Sequence, residues 1–208
     1  MNYPLKKRLQ LFNAVVMPSA LYSSATWTMT KAREQKLRVA QRRMLRQIVH
    51  VSKRNILDPP DGDTDSEERS KEDFSTGDSE TEEAALGDDD KQDGESWVQW
   101  IIRATRVGEA EMRKAKVIDW VEEQRRRKWR WAGHVARRDD GRWSNAVINW
   151  KPECGVRRVG GQHMRWANVI DKFLEVAADL SKGEWQFFAQ DRDGWKQLEE
   201  DFILWKAG

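Results

Sequence analysis

The charge of this chain is segregated along its length, and that pattern limits the structures open to it. Residues 58–95 carry 17 acidic and three basic residues, whereas the remainder carries 34 basic and 18 acidic residues. Residues 1–57 alone hold 12 basic residues and a single acid, Glu34. The total of +2 therefore conceals a strongly basic protein with an acidic insert. Segregated basic charge is typical of proteins that contact polyanions.

The acidic insert is predicted to be a disordered linker. Residues 57–96 contain two prolines, several Gly and Ser, and few apolar side chains. Such a segment cannot bury enough apolar surface to offset its chain entropy. We therefore expect a basic, thumb-like helical segment at 1–56, the linker at 57–96, and a Trp-rich helical domain at 97–208. The insert could also mimic nucleic acid and cover the basic faces, although a passive insertion is the favoured interpretation.

Apolar spacing predicts a mainly α fold. Apolar positions three and four residues apart fall on one helix face. Pro18 should bend the first helix or end it nearby, and Thr30 is a suitable N-cap for the second. No alternating strand pattern is persuasive, and no run of about 18 apolar residues suggests a membrane span. The predicted helices lie at about 5–22, 31–50, 97–106, 110–137, 143–150, 165–180 and 191–205.

The helix at 31–50 carries the first candidate nucleic-acid site. Arg38, Arg42 and Arg46 recur every four residues, with Arg43 beside them. Each step along the helix is about 6 Å. Like charges at this spacing cost stability, and no acidic partner is evident, so the pattern favours phosphate contact over a merely solvated face.

A second basic run interleaves cations with tryptophan. Lysine and arginine can neutralise phosphates, and an indole can stack on an unpaired base. Trp120 and Trp131 share the apolar stripe of this helix and are expected in the core, so Trp129 is the candidate for stacking, with core packing as its alternative. The cations of the run are Arg125, Arg126, Arg127, Lys128 and Arg130.

Two stretches near the N-terminus resemble the thumb region of reverse transcriptases from LINE-type (non-LTR), RTE-like retrotransposons. Residues 8–27 show a helix, Pro18, a Leu-Tyr pair and a turn ending at Trp27. Residues 41–48, Gln-Arg-Arg-Met-Leu-Arg-Gln-Ile, are similar to the next helix of that family. The turn at 23–27 departs from the family's Gly-x-Glu-x-Trp-like pattern because it lacks the glycine and the glutamate.

Four stretches towards the C-terminus extend the resemblance over most of the chain except the insert. Their order and spacing are specific, although each motif alone is modest. Gly161-Gln162, where the family often has Arg-Pro, and Ala167-Asn168, where acids are common, depart from the pattern and suit a divergent copy. The stretches are Arg130–Arg137 (Arg-Trp-Ala-Gly-His-Val-Ala-Arg), Trp150-Lys151-Pro152, Gly160-Gly161 before Arg165-Trp166, and Asp191–Trp195 (Asp-Arg-Asp-Gly-Trp).

The resemblance implies a polymerase fragment without its catalytic centre. In the family, palm carboxylates that hold two Mg²⁺ ions precede the thumb, and an endonuclease is often present. Asp88-Asp89-Asp90 has no flanking hairpin and is not expected to replace those carboxylates. We therefore expect no enzymatic activity from this chain alone. The expected partners are RNA or DNA, as primer–template or element RNA, and the missing palm, with no membrane.

Other site chemistries find little support in the sequence. Cys154 permits no internal disulfide, which fits an intracellular, nuclear or cytoplasmic protein. Cys154, His163 and His134, with His50 further away, lack the spacing of a structural zinc site, so no metal or other cofactor is expected. Two alternatives to nucleic-acid binding remain open, a protein-interaction or structural fragment and a relic open reading frame without function.

Overall fold

The computed structural model describes residues 3–54, 94–138, 140–141, 143–149 and 164–205. These residues are mainly helical and include no β-strand, which confirms the predicted fold class. None of their helices combines the length and apolar content that a bilayer crossing requires. Nearly all of the acidic insert lies outside the described residues. The helices are α1 Leu5–Leu11, α2 Met17–Ala20, α3 Lys31–Val49, α4 Trp97–Lys114, α5 Trp120–Ala136, α6 Trp143–Asn149, α7 Asn168–Ala178, α8 Trp185–Phe188, α9 Arg192–Gln197 and α10 Glu199–Leu204.

The first predicted helix is interrupted just before its proline. Proline has no N–H, and its ring clashes with the carbonyl four residues earlier. Here a π-helical turn over Phe12–Val16 precedes α2, which starts with Met17 and Pro18. Such turns widen the backbone locally. The helix ends at Ala20, two residues beyond the proline, as the sequence predicts.

Helix α3 begins at the N-cap that its sequence predicts. The Thr30 hydroxyl accepts a hydrogen bond from the backbone N–H of Arg33 at 3.3 Å, which satisfies one of the unpaired donors of the first turn. His50 ends the helix in the left-handed conformation, with φ of 55°. Local chemistry thus fixes both ends of the helix that carries the first candidate site.

The boundary between α4 and α5 differs from the prediction. Helix α4 continues to Lys114, and α5 begins only at Trp120. Asp119 sets that start, because its carboxylate accepts hydrogen bonds from the N–H groups of Val121 and Glu122. The predicted helix at 110–137 is therefore wrong at its beginning. The predicted helix at 191–205 is also divided, into α9 and α10, and α8 was not predicted.

The first core joins the N-terminal segment to the start of α5. Leu9, Phe12 and Leu45 pack with Val117 and Trp120 in one buried cluster, and the rings of Phe12 and Trp120 stack with centroids 5.6 Å apart. The buried amide of Gln41 fixes the same junction. Its Nε2 donates to the carbonyl of Ile118 at 2.8 Å, and its Oε1 accepts from the N–H of Trp120 at 3.1 Å.

The second core is centred on two stacked tryptophans. The rings of Trp129 and Trp195 lie 3.8 Å apart at an angle of 10°. Each indole N–H donates to the other residue's carbonyl, at 2.9 and 3.1 Å. Phe173 and Phe202 pack around this pair. Aromatic pairs of this kind add to the free energy of burial, so the Trp pair fixes α9 against α5.

We predict that Gly133→Ala destabilises the protein. A Cβ at this buried position would lie 2.6 Å from Nε1 of Trp195, itself packed and hydrogen-bonded. Overpacking of this kind costs about 1–3 kcal/mol, which exceeds the gain in helix propensity. Urea denaturation measures the change.

Gly108→Ala is the matched control, because its Cβ would meet Leu45 at an ordinary 3.7 Å. That helix-interior substitution should leave stability unchanged or raise it by up to about 1 kcal/mol. Equal stabilities of Gly133→Ala and the wild-type protein would contradict the described packing of α9 on α5.

Candidate nucleic-acid interface

Two of the three arginines predicted as a rail on α3 donate hydrogen bonds to side chains of α4. Arg42 Nε donates to Glu109 Oε1 at 2.5 Å, and Arg46 Nη1 donates to the Thr105 hydroxyl at 3.0 Å. Burial raises the pKa of Glu122, and the nearby charge of Arg38 opposes that rise. The expectation that the rail has no acidic partner is therefore wrong for Arg42, because α4 supplies Glu109 from remote sequence.

Arg125 holds three parts of the chain together. Its guanidinium forms a bidentate ion pair with Glu34, with N–O distances of 2.8 to 3.0 Å. The same guanidinium donates to the carbonyls of Ile203 and Trp205 at 2.9 and 2.6 Å. Paired, planar contacts of this type are the strongest that arginine makes. Arg125 thus links α3, α5 and the end of α10 and is occupied within the chain.

The other arginines of the second basic run also have intramolecular partners. Arg126 contacts Glu123, Glu199 and Glu200. Arg127 donates to Glu123 and to the carbonyl of Leu21. Arg130 pairs with Glu199 at 2.7 Å but keeps 64% of its side chain exposed. Among the cations of the run, Arg130 retains the largest surface for a ligand.

The structure places Trp129 and Lys128 inside the protein. Trp129 is fully buried against Trp195 and Phe202, so no base can reach its ring, and the stacking prediction for Trp129 is wrong. Lys128 is also buried, and its ammonium lies 4.7 Å from the centre of the Trp166 ring. Its Nζ makes no hydrogen bond to a described residue. The expected core position of Trp120 is confirmed.

Cations also lie on the outward side of α3, and Arg46 belongs to this group as well as to the predicted rail. Three adjoining grooves, of about 580, 600 and 730 Å³, share lining residues and form one continuous surface. We call this surface the α3 outer face. Among the described residues, no acidic side chain lines it. Its cationic and histidine side chains are Arg33, Lys36, Arg43, Arg46 and His50.

Aromatic and apolar side chains alternate with these cations. Trp27 lies at one end of the α3 outer face and Trp97, which is 61% exposed, at the other. Val39 and Met44 are exposed between them. The helix spans about 26 Å from Arg33 to His50 at its normal rise. Such a stripe offers charge for phosphates and apolar surface for bases or sugars.

The acid next to this surface is held in ion pairs. Glu95 precedes Trp97 by two residues and accepts two hydrogen bonds from Arg103, at 2.8 and 2.6 Å. Those bonds lower the pKa of Glu95 to about 2, with smaller contributions from Arg54. The negative charge of Glu95 is therefore compensated by Arg103 and Arg54.

The sequence interpretation included only part of this surface. Arg43 and Arg46 were predicted site residues and line the α3 outer face, whereas Arg38 and Arg42 do not line its grooves. Lys36, His50 and Trp97 were missed. The available signal was the stripe at 36, 39, 43, 47 and 50, whose three-four spacing mixes cations with apolar and polar residues.

The described residues contain no group of three or more His, Cys, Asp or Glu side chains that could hold a metal ion. Cys154 and His163, the weak zinc candidates, lie outside the described residues. So does Asp88-Asp89-Asp90. The described site chemistry is accordingly that of cations and aromatic rings.

We predict that Lys128→Met changes the pH dependence of stability. Burial lowers the pKa of Lys128 to about 7, against an opposing effect of Glu34, while the unfolded chain keeps the usual value near 10.5. Between these values the unfolded state binds the additional proton, so the wild-type free energy of unfolding rises with pH. The variant should be more stable by roughly 1–4 kcal/mol at pH 7, and this advantage should shrink towards pH 10.

Urea denaturation at pH 6, 8 and 9.5 measures the difference between the two proteins. Lys172→Met, at an exposed position on α7, is the control and should leave the pH dependence unaltered. A constant difference between Lys128→Met and wild type over this range would contradict a buried Lys128 that titrates near neutral pH.

Comparison with known proteins shows one informative similarity. The chain is 28% identical over 194 residues to a Caenorhabditis elegans protein described as an uncharacterized transposon-derived protein. The match covers 91% of this chain and 53% of that protein, so the chain spans about half the length of the curated relative. No family model and no solved structure matches. The similarity supports a transposon origin for the chain.

Proposed function

We propose that this chain is a fragment of a LINE-type retrotransposon reverse transcriptase and that its α3 outer face binds nucleic acid. The observation that carries the binding proposal is the continuous surface on α3, which the described residues line with cations and tryptophans and with no acid. Similarity to a transposon-derived protein supports the origin. The thumb-like and C-terminal motifs support the more specific assignment to an RNA-directed DNA polymerase.

Binding at this face would combine charge with stacking. Phosphates neutralised by Lys36, Arg43 and Arg46 release counterions, so affinity should fall steeply with salt. Exposed indoles accept bases of any sequence, because every base has a π face. Trp97 is exposed for such a contact at one end of the face, and Trp27 at the other end is half-buried against the first core. The proposed ligand is RNA or DNA, held mainly through its backbone.

In a longer polymerase, the fragment would hold the backbone of the primer–template. The resemblance places the palm, with its metal-binding carboxylates, before this segment, so we propose that the chain alone does not extend primers. Leu11 and Val15 lie one turn apart on the first helix and are 63% and 55% exposed. We propose the palm of the longer polymerase as the partner that covers these two side chains.

We predict that the double variant Lys36→Glu/Arg43→Glu binds nucleic acid much more weakly than the wild-type protein and stays folded. Both are on the α3 outer face and make no hydrogen bond or ion pair to a described residue. Loss and reversal of two phosphate contacts should weaken binding at least about tenfold and reduce the dependence of log K on log salt by about two. Fluorescence anisotropy with a labelled primer–template at several salt concentrations measures both quantities.

The control is Lys172→Glu with Lys182→Glu, which makes the same change of net charge at exposed positions in the C-terminal region. Circular dichroism confirms folding of each variant. Arg42→Glu is unsuitable, because it would place a second carboxylate beside Glu109. Affinities of the α3 variant that equal those of the control would refute binding at the α3 outer face and favour a protein-interaction fragment or a relic.

A further inference from the structure

A second group of cations surrounds a cleft between the end of α5 and α9. The cleft has a volume of about 430 Å³, and we call it the α5–α9 cleft. Trp195 and Glu199 complete its wall. Its basic and histidine side chains are Arg130, His134, Arg137, Arg138, Arg192 and Lys196.

The acid of this cleft does not balance its charge. Glu199 is occupied by Arg130, through hydrogen bonds of 2.7 to 3.2 Å, and by Arg126. Asp191 caps α9 by accepting from the N–H of Asp193 and does not line the cleft. Arg138 pairs loosely with Asp140 at 3.7 Å. The remaining positive charge of Arg137, Arg192 and Lys196 faces the cleft without a described carboxylate partner.

These like charges are held close together by the fold. Arg137 is fixed because its Nη1 donates to the carbonyl of Ala189 at 2.7 Å. Burial lowers the pKa of Arg137, and the charge of Arg192 lowers it further. Two guanidinium groups that repel each other in this way reduce stability. An anion that binds between the two guanidinium groups reduces this repulsion.

The scaffold under the cleft is rigid. The stacked pair of Trp129 and Trp195 fixes α9 on α5 through two reciprocal hydrogen bonds. Gly133 permits this approach, because a Cβ there would collide with the Trp195 indole. The fold thereby brings together the stretches Arg130–Arg137 and Asp191–Trp195, which are far apart in sequence. Their apolar members form the support, and their cations face the cleft.

We propose that the α5–α9 cleft is a second phosphate-binding site, which holds backbone phosphates of a nucleic-acid strand. It deepens the proposed function and rests on it, since the ligand is the same strand. Arg137 provides a fixed donor at the base of the cleft. Arg192 and Lys196, one turn apart on α9, provide exposed donors at its rim, and His134 lies on the α5 side.

The experiment compares two double variants. The cleft variant is Arg192→Glu/Lys196→Glu, and the control is Lys172→Glu/Lys182→Glu. Binding of a labelled 12-nucleotide deoxythymidine strand is followed by fluorescence anisotropy at several salt concentrations. The cleft variant should bind at least about tenfold more weakly than the control and show a smaller salt dependence. The double variant Arg192→Gln/Lys196→Gln should also bind the strand more weakly, but with a smaller loss of affinity. Thermal denaturation monitors folding of all variants.

A second arm separates this inference from the proposed function. Inorganic pyrophosphate is titrated into the full chain while the ring protons of His134, assigned with His134→Gln, are followed by NMR. The expected result is a shift of these protons that is lost in the double variant Arg192→Gln/Lys196→Gln, because a bound anion changes the electrostatic field at the imidazole ring.

Each alternative outcome has a definite meaning. Normal strand binding by both cleft variants, together with loss of binding in the α3 variant, would overturn the second site and leave the proposed function standing. A pyrophosphate response at His134 without strand binding by the wild-type protein would overturn the assignment to a strand and the proposed function together. No pyrophosphate response would overturn phosphate recognition in the cleft.

Discussion

The ion pair between Arg125 and Glu34 is the contact on which the arrangement of the helices depends. Glu34 is the single acid among residues 1–57, and its carboxylate receives both arms of the Arg125 guanidinium. Both side chains are almost enclosed, with exposed fractions of 13% and 14%. An uncompensated charge at such a position would be costly. The pair therefore fixes α3 against α5, and the carbonyls of Ile203 and Trp205 add the end of α10.

Fixing α3 in this way decides which of its cations face solvent. Arg42 turns towards Glu109, and Arg46 donates to Thr105 while it still lines the α3 outer face. Lys36, Arg43 and His50 are exposed. The same division applies to α5. Its first turns place Arg125 and Arg126 in ion pairs with acids of α3 and α10 and Arg127 in an ion pair with Glu123 of the same helix, and its last turns leave cations beside α9. Basic charge in this protein thus has two roles, assembly of the helices and the proposed contact with polyanions.

Local features of the fold could be predicted from the sequence, whereas the partners of the cations could not. Thr30 and the apolar spacing after it defined α3 correctly. The break at Asp119 was missed because apolar residues keep three-four spacing across it. Glu109 and Glu34 lie 67 and 91 residues from the arginines they pair with, a separation that no local pattern reveals.

The position of Trp129 shows a second limit of periodicity. A helix buried along one stripe would leave this residue near the surface. Helix α5 instead packs against α3, the turn at Ser24–Thr26, α8 and α10, so its buried residues occupy more than one side. Lys128 and Trp129, which periodicity places beside the buried stripe, are therefore buried as well. The wrong stacking prediction follows from treating a central helix as a surface helix.

The most direct measurement is photo-cross-linking of the full chain to a uniformly bromouridine-substituted strand, with mass-spectrometric assignment of the modified residues. Binding at the α3 outer face, as proposed, would place Trp97, Trp27 and His50 beside the strand, so we expect adducts in the peptides that contain these residues and fewer of them at high salt. Adducts confined to peptides of the first half of α5, around Arg125 and Trp129, would contradict this account. They would show that the cations described here as assembly contacts are the ones that bind nucleic acid.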